Sequence, residues 1–323
     1  MVISIHKMAG KGKVQSPKTR WFAGPRDERE CEKKLSIIVV FHNMQREAKR
    51  TLYSLSTEYQ LNVCEDDYEV IAVDNGSTAP LNQHFVESFG RDFHYIFHET
   101  QSRSPVDAIN IGVNCAKGEY VAIIVDGARM ASPGVVANTI KAASLFDNPL
   151  VGSLSWHLGP DVQNVSMLNG YNQKVEDNLL QSIDWPLEGY RLFDISVLAQ
   201  SSQRGYLSGV PNELSWLCLA RRTFNELGGY DTLFQAPGGG LVNQDFLKRA
   251  LAIPEIQPVM LLGEGVFHQF HGGVATNVPM ADHPLKTFNK EYEQIRGKPY
   301  KPTPCEDVHY FGKLSTAARK FLI

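Results

Sequence analysis

Five acidic or imidazole residues of this 323-residue chain lie where they could take part in chemistry. Asp74 and Asp126 end the apolar runs VIAV and YVAIIV, and Asp245 lies in the segment NQDFLKR. His268 and His271 lie close together in the segment FHQFHGG. Carboxylates and imidazoles bind divalent cations, and both can accept a proton during catalysis. The question is which of them the fold brings together.

The first half of the chain alternates between apolar runs and helical patterns. The run at 35–41 (LSIIVVF) is continuous and rich in β-branched residues, which is typical of a strand covered on both faces. Asn43 is placed to cap the helix that follows. Further strands are predicted at 69–74, 95–98 and 120–125, with helices at 81–89 and 105–116 between them. This order predicts an α/β fold with a mostly parallel sheet and helices on both faces.

Asp74 and Asp126 fall at the carboxyl ends of two of these predicted strands. In open parallel sheets, ligands bind outside the carboxyl ends of the strands, near a point where the strand order reverses. The two aspartates are therefore candidates for one shared site.

The second half of the chain is less regular. A helix is predicted at 135–146, and a strand at 151–156 leads into a polar and aromatic stretch that reaches residue 211. The later elements predicted are strands at 216–220 and 259–262 and helices at 222–227 and 243–252. From residue 277 onward the chain is rich in proline, lysine and histidine, which predicts an extension lying over the surface of the domain.

Three segments resemble the family 2 glycosyltransferases, which have the GT-A fold. SIIVVFHN at 36–43 resembles the family's opening motif, although Phe41 stands where proline is usual. VDNGST at 73–78 resembles the second motif, whose aspartate contacts the nucleotide base. AKGEYVAIIVD at 116–126 resembles the segment that leads into the metal-binding acidic motif. The resemblance extends over about 35–273, and the order and spacing of the motifs make it specific.

This resemblance implies a glycosyltransferase that moves a sugar from a nucleotide donor, UDP-linked, to a glycan or lipid-linked acceptor. It divides the chain into a basic tail (1–33), a GT-A domain (34–273) and a C-terminal extension (274–323). Within the domain, 34–132 is the nucleotide-binding half and 133–273 the acceptor half. The implied donor-binding residues are Phe41, His42, Asn43, Asp74, Asn75, Asp126, Gly127 and Arg129. Trp156, Trp185 and Tyr190 are candidates for stacking against an acceptor sugar.

The metal-binding motif departs from the family pattern of two aspartates separated by one residue, because Ala128 replaces the second aspartate. Two arrangements could compensate for the missing carboxylate. His268 or His271 could complete a Mn²⁺ or Mg²⁺ site with Asp126, and Mn²⁺ accepts imidazole as well as carboxylate. Alternatively, the Arg129 guanidinium could bind the diphosphate in place of a cation.

The family's catalytic region has a counterpart in LGGYD at 227–231 and NQDFLKR at 243–249. The resemblance implies that Asp245 is the general base of an inverting transfer, with Gln244 standing where glutamate is usual. A base is needed because the attacking acceptor hydroxyl must lose its proton. Asp231 is expected in a turn after two glycines, and Gly238–Gly240 is expected to form a mobile loop over the donor. The replacements at Ala128 and Gln244 leave open a second hypothesis, a pseudo-transferase that binds nucleotide or glycan without turnover.

Composition limits the remaining function classes. The net charge of −3 gives no reason to expect nucleic acid binding. The five cysteines are scattered without metal-ligand spacing, and no signal peptide is visible at the N-terminus, so we expect a cytoplasmic protein. The basic tail could add a peripheral contact with anionic lipids. A nucleotidyltransferase is disfavoured, because a glycine- and lysine-rich phosphate loop would be expected where His42 and Asn43 follow the first strand.

Overall fold

The computed structural model describes residues 33–322, which form a mixed sheet of ten strands with helices on both faces. The predicted basic tail therefore lies outside the described residues, except for Lys33. The strands are β1 (Leu35–Phe41), β2 (Tyr68–Asn75), β3 (Phe93–His98), β4 (Tyr120–Ile124), β5 (Arg129–Ala131), β6 (Pro149–Leu158), β7 (Ser196–Leu198), β8 (Leu217–Ala220), β9 (Gln257–His268) and β10 (His309–Gly312). The α-helices are α1 (Gln45–Ser54), α2 (Gln83–Glu87), α3 (Val106–Cys115), α4 (Val135–Ala143), α5 (Gln163–Ser166), α6 (Gln173–Ser182), α7 (Arg221–Glu226), α8 (Val242–Leu251) and α9 (Leu285–Arg296).

The main sheet has the strand order β10-β9-β6-β8-β4-β1-β2-β3. Every neighbouring pair in it is parallel except the two that involve β8, which runs against both β4 and β6. The predicted α/β fold with a mostly parallel sheet is therefore confirmed. Because β4, β6 and β9 run in the same direction, their carboxyl ends lie at one edge of the sheet, beyond which ligands bind in folds of this kind.

Strand β1 shows why the sequence favours this arrangement. All seven of its residues are buried, and they alternate between two hydrophobic cores on opposite faces of the sheet. Ile38 and Val40 pack in the core that contains α3, while Ile37 and Val39 pack in the core that contains α1 and α4. A strand covered on both faces needs a continuous apolar run, because successive side chains point to opposite faces.

Asn43 does not cap α1, which corrects the sequence prediction. The residue that precedes the helix is Met44, and no side chain accepts a hydrogen bond there. Asn43 instead has a φ of 54°, and its side-chain oxygen accepts hydrogen bonds from the backbone N–H groups of Thr78 and Ala79. The carboxamide thus joins the loops that follow β1 and β2. Asparagine tolerates this left-handed conformation better than most residues.

The C-terminal extension is more regular than predicted. It contains α9, and it adds β10 to the edge of the sheet, parallel to β9. An edge strand of four residues gives little periodic signal in a sequence rich in proline. No helix within 33–322 is both long and apolar enough to span a lipid bilayer.

Gly263 links β9 to the extension and gives the first testable prediction. Its φ is 75°, and an added Cβ would lie 2.1 Å from the backbone oxygen of Lys313. Gly263→Ala should therefore lower the free energy of unfolding by about 1–3 kcal/mol from backbone strain, and by more from the clash. Gly297→Ala is the matched control, because its φ is 68° but an added Cβ would meet nothing within 4 Å. Urea unfolding of both variants checks this, and equal losses would contradict the role of the clash.

Candidate active site

Three ligand-type side chains converge at the carboxyl edge of the sheet. Asp126 follows β4, His268 is the last residue of β9, and His271 lies in the next loop. The Asp126 Oδ2 atom is 2.8 Å from His268 Nε2 and 3.4 Å from His271 Nε2, and the two Nε2 atoms are 3.2 Å apart. Among residues 33–322, these three form the one group of three or more His, Cys, Asp or Glu side chains arranged to hold a metal ion.

The hydrogen bonding of His268 shows which of its ring nitrogens is free to bind a cation. His268 is fully buried, and its Nδ1 lies 2.8 Å from the side-chain oxygen of Gln163. That oxygen can only accept, so Nδ1 carries the proton. In the neutral ring, Nε2 is then unprotonated and points its lone pair at the Asp126 carboxylate. Two lone pairs at 2.8 Å repel each other unless a cation or a proton lies between them.

The electrostatics of the cluster place two of its three residues, Asp126 and His268, in the states that a cation requires. Burial alone would raise the pKa of the Asp126 carboxyl, but the neighbouring His271 and His268 rings hold that pKa well below its usual range. Burial lowers the pKa of His268 to about 4, against the opposing effect of Asp126. At neutral pH, Asp126 is therefore ionised and His268 is neutral, as metal coordination requires. Burial would lower the pKa of His271, but the Asp126 carboxylate outweighs burial and raises that pKa, so a cation would have to displace a proton from His271. Two imidazoles and one carboxylate fit a divalent cation such as Mn²⁺.

Arg129 lies beside this cluster because β5 pairs with β9 and places Arg129 opposite His268. One of its terminal nitrogens is 4.0 Å from Asp126 Oδ2, and the other, Nη1, is buried without a hydrogen-bond partner in the described structure. The fold thus brings together the residues of both arrangements considered from the sequence, the histidine-completed cation site and the guanidinium. The two arrangements can exist together, because they use different side chains.

The predicted donor-binding residues divide into exposed and buried groups. His42 is half-buried, Asn43 is exposed, and His42 Nδ1 lies 2.9 Å from the backbone oxygen of Asn75. Asn75 is 3% exposed, and its side-chain nitrogen donates to the backbone oxygen of Ser104. These three residues therefore shape the loops at the carboxyl ends of β1 and β2. Of the three, His42 and Asn43 are the ones that a ligand could reach directly.

Phe41, Asp74 and Gly127 are buried. The two carboxylate oxygens of Asp74 accept hydrogen bonds from the backbone N–H groups of Ser77 and Leu81, so this side chain holds its own turn together. A Cβ on Gly127 would lie 2.3 Å from the Phe41 ring, so glycine is needed for the close packing of this loop. The geometry gives Phe41 and Asp74 structural contacts and leaves neither side chain open to a nucleotide.

Asp245 and Gln244 lie on α8, and the hydrogen-bond partners of their side chains lie outside the Asp126 cluster. Asp245 is 2% exposed, and its two oxygens accept hydrogen bonds of 2.7–2.9 Å from Arg249 and Arg296. The side-chain nitrogen of Gln244 donates to Glu213 at 3.2 Å. A general base must be within reach of an acceptor hydroxyl. The position of Asp245 does not support that role, and its contacts are those of a buried ion pair.

The aromatic residues predicted to stack against an acceptor sugar are engaged elsewhere. Trp156 is fully buried and packs edge-on against Phe193, so its assignment as a sugar platform was wrong. Trp185 packs against Tyr53, and the Tyr190 hydroxyl donates to Glu264. Large aromatic side chains contribute most of their free energy through burial, and nothing in their spacing separated core from surface here.

Gln163 and Asn277 contact the cluster but have no motif that would have singled them out. Gln163 is buried on α5, and Asn277 follows the loop that carries His271. The sequence feature that could have indicated a role for Asn277 is its position, a few residues after Gly272 and Gly273.

One segment of the chain matches a known protein family. Residues 36–126 match the family described as glycosyl transferase family 2, and the match ends at the aspartate of the cluster. Residues 36–126 belong to glycosyl transferase family 2. The predicted assignment is confirmed, and the segment contains β1 to β4.

The other similarities of this chain are also partial. The chain is 31% identical over 124 residues to an uncharacterized glycosyltransferase, YfnE, of Bacillus subtilis (strain 168), and this covers 38% of the chain and 30% of that relative. The structure of S. aureus TarS 1–349 matches with a TM-score of 0.48 and 14% identity, over 73% of this chain and 60% of that one. The complex of TarS 1–349 with UDP-GlcNAc matches with a TM-score of 0.49 and 14% identity, over 80% and 66%. The chain thus spans less than two thirds of each of these proteins.

Proposed function

We propose that this protein is a glycosyltransferase that moves a sugar from a nucleotide-sugar donor, UDP-linked, to a hydroxyl of a glycan or lipid-linked acceptor. The observation that carries the proposal is the convergence of Asp126, His268 and His271 at the end of the family 2 segment. The transfer breaks the bond between the anomeric carbon and the diphosphate, so negative charge develops on the leaving group. A site for such a reaction must place positive charge where the diphosphate lies.

Each residue of the cluster has a distinct task in this proposal. Asp126, His268 and His271 would hold a divalent cation, Mn²⁺ or Mg²⁺, which when bound acts as a Lewis acid on the phosphate oxygens. Arg129 adds a fixed positive charge beside them, with one buried nitrogen free of hydrogen bonds in the described structure. His42 and Asn43 lie at the same edge of the sheet, where the nucleoside would be expected.

A second candidate is supported by one specific observation. Asp245 is buried between two arginines, so the residue predicted as general base has no free oxygen. Together with Ala128 in place of the second acid, this favours a protein that binds the nucleotide sugar or a glycan without turnover. The cation cluster is compatible with both candidates, and turnover separates them.

The experiment that tests the proposal measures UDP release from UDP-glucose, UDP-galactose and UDP-GlcNAc in the presence of Mn²⁺ and of glycans that offer acceptor hydroxyls. Turnover of one of these donors that is lost in Asp126→Asn supports the transferase. Binding of a donor without any turnover supports the second candidate. Failure of all three donors to bind would contradict the transferase and the nucleotide-sugar-binding form of the second candidate.

Arg129 gives a second prediction, on donor affinity. Arg129→Met should weaken UDP binding by about 10–100-fold, because a charge-assisted hydrogen bond contributes roughly 1.5–3 kcal/mol. Methionine keeps the length and much of the apolar stem, so packing is largely preserved. The matched control is Arg222→Met, since Arg222 is an exposed guanidinium that donates to the backbone oxygen of Asp147. Calorimetry that finds the same UDP affinity in both variants would contradict the diphosphate role of Arg129.

A further inference from the structure

A chain of side-chain amides connects the loop that carries His271 to the buried ring of His268. The side-chain oxygen of Asn277 accepts hydrogen bonds from the backbone N–H groups of His271, Gly272 and Gly273, at 3.2, 2.8 and 2.9 Å. Three donors facing one oxygen fix the orientation of this amide, so its nitrogen must point the other way. That nitrogen donates to the side-chain oxygen of Gln163 at 2.9 Å.

The orientation of Gln163 is fixed in turn from both ends. Its oxygen receives the Asn277 N–H, and its nitrogen donates to the backbone oxygen of His268 at 2.9 Å. If the amide were rotated by 180°, its nitrogen would face the Asn277 nitrogen and its oxygen would face a carbonyl oxygen. Both contacts would then be repulsive. The oxygen of Gln163 therefore faces His268 Nδ1, and that nitrogen must carry the proton.

We propose that Asn277 and Gln163 are positioning residues that select the Nδ1-protonated tautomer of His268 and so keep its Nε2 lone pair available for the cation. This inference rests on the cation site of the proposed function. The same Asn277 oxygen holds the backbone of His271, so one side chain positions both imidazoles. Partners of this kind orient metal-ligating histidines, and their loss typically costs about 10–100-fold in metal affinity.

A purely structural role for these residues would predict different behaviour. The neighbouring Asn164 also holds this loop, since its side-chain nitrogen donates to the backbone oxygens of Ala275 and Val278 at 2.8 and 2.7 Å. Neither bond reaches His268. Asn164→Ala therefore loosens the same loop without touching the tautomer, and it is the matched control.

The test uses Mn²⁺ alone as the probe, with its binding to the full chain followed by electron paramagnetic resonance. Gln163→Ala should weaken Mn²⁺ binding by about 10–100-fold, and Asn277→Asp should weaken it similarly. In Asn277→Asp, a carboxylate oxygen replaces the nitrogen that donates to Gln163, so this hydrogen bond is lost. Gln163→Glu keeps an acceptor opposite Nδ1, so it should bind Mn²⁺ far more tightly than Gln163→Ala. Asn164→Ala should stay close to the unaltered protein.

The tautomer itself provides a readout that is independent of metal and of activity. A long-range ¹H–¹⁵N correlation spectrum of the metal-free protein should show a proton on His268 Nδ1 and its loss from Nδ1 in Asn277→Asp. If the unaltered protein does not bind Mn²⁺, the cation site of the proposed function fails. If it does bind Mn²⁺ but Gln163→Ala binds equally well, or if Gln163→Glu is as weak as Gln163→Ala, the tautomer proposal alone is overturned.

Discussion

Replacing His268 with alanine is expected to weaken Mn²⁺ binding by about 100-fold or more and to abolish sugar transfer. The expected loss exceeds the roughly 10–100-fold effect of residues that only support a ligand, because His268 supplies a ligand atom itself. Its Nε2 lies 2.8 Å from Asp126 Oδ2 in the cluster. Removal of the ring leaves one carboxylate and one imidazole, too few protein ligands for tight binding. Mn²⁺ titration by electron paramagnetic resonance measures the affinity directly.

The control for this variant is His94→Ala. His94 is also paired with a carboxylate, since its Nε2 lies 3.3 Å from Glu69, but it is on β3 and 42% of its side chain is exposed. Its loss should leave Mn²⁺ affinity unchanged. If His268→Ala binds Mn²⁺ as the unaltered protein does, the cation does not occupy this cluster, and the proposed chemistry would depend on Arg129 instead.

Asp245→Ala is expected to have the largest effect on stability, lowering the free energy of unfolding by about 3–5 kcal/mol. The substitution removes the shared partner of Arg249 and Arg296 and leaves both guanidiniums partly buried. Arg249 also donates to the backbone oxygens of Leu227 and Gly229, and Arg296 also pairs with Asp231. Asp245 therefore joins α8, the Gly228–Gly229 turn and α9. Urea unfolding at neutral pH checks the prediction.

Asp177→Ala is the control, because Asp177 forms the same kind of ion pair at a more exposed position. Asp177 also accepts from two arginines, Arg46 and Arg50, but 46% of its side chain is exposed. Its loss should cost about 0–1 kcal/mol, as for other exposed ion pairs. Similar losses in the two variants would contradict a structural role for Asp245. If Asp245→Asn were fully folded but unable to transfer sugar, the original assignment of Asp245 as general base would regain support.

The sequence was most informative about the sheet and its carboxyl edge. Continuous apolar runs predicted β1, β2 and β4 to within a residue or two, because strands covered on both faces are made mostly of apolar residues. The position of Asp126 at the end of such a run, and the close spacing of His268 and His271, were enough to predict a shared site. These features are local, or they depend only on parallel strands ending at a common edge.

The sequence failed to predict a residue's role where that role depends on contacts with residues distant in sequence. Nothing in the segment around Asp245 indicates that Arg296, 51 residues later, would bind both of its oxygens. The burial of Trp156 depends on which residues cover it, and Phe193 and Phe267 lie far away in sequence. Gln163 and Asn277 likewise meet across 114 residues. Pairings of this kind are set by the folded topology and leave no periodic pattern.

The measurement that tests the central claim most directly is a calorimetric titration of UDP with and without Mn²⁺. If Asp126, His268 and His271 hold a cation that contacts the diphosphate, Mn²⁺ should raise the affinity for UDP by about tenfold or more, and UDP should raise the affinity for Mn²⁺ by the same factor. The coupling should vanish in Asp126→Asn. UDP binding of equal strength with Mn²⁺ and with a chelator would contradict the claim.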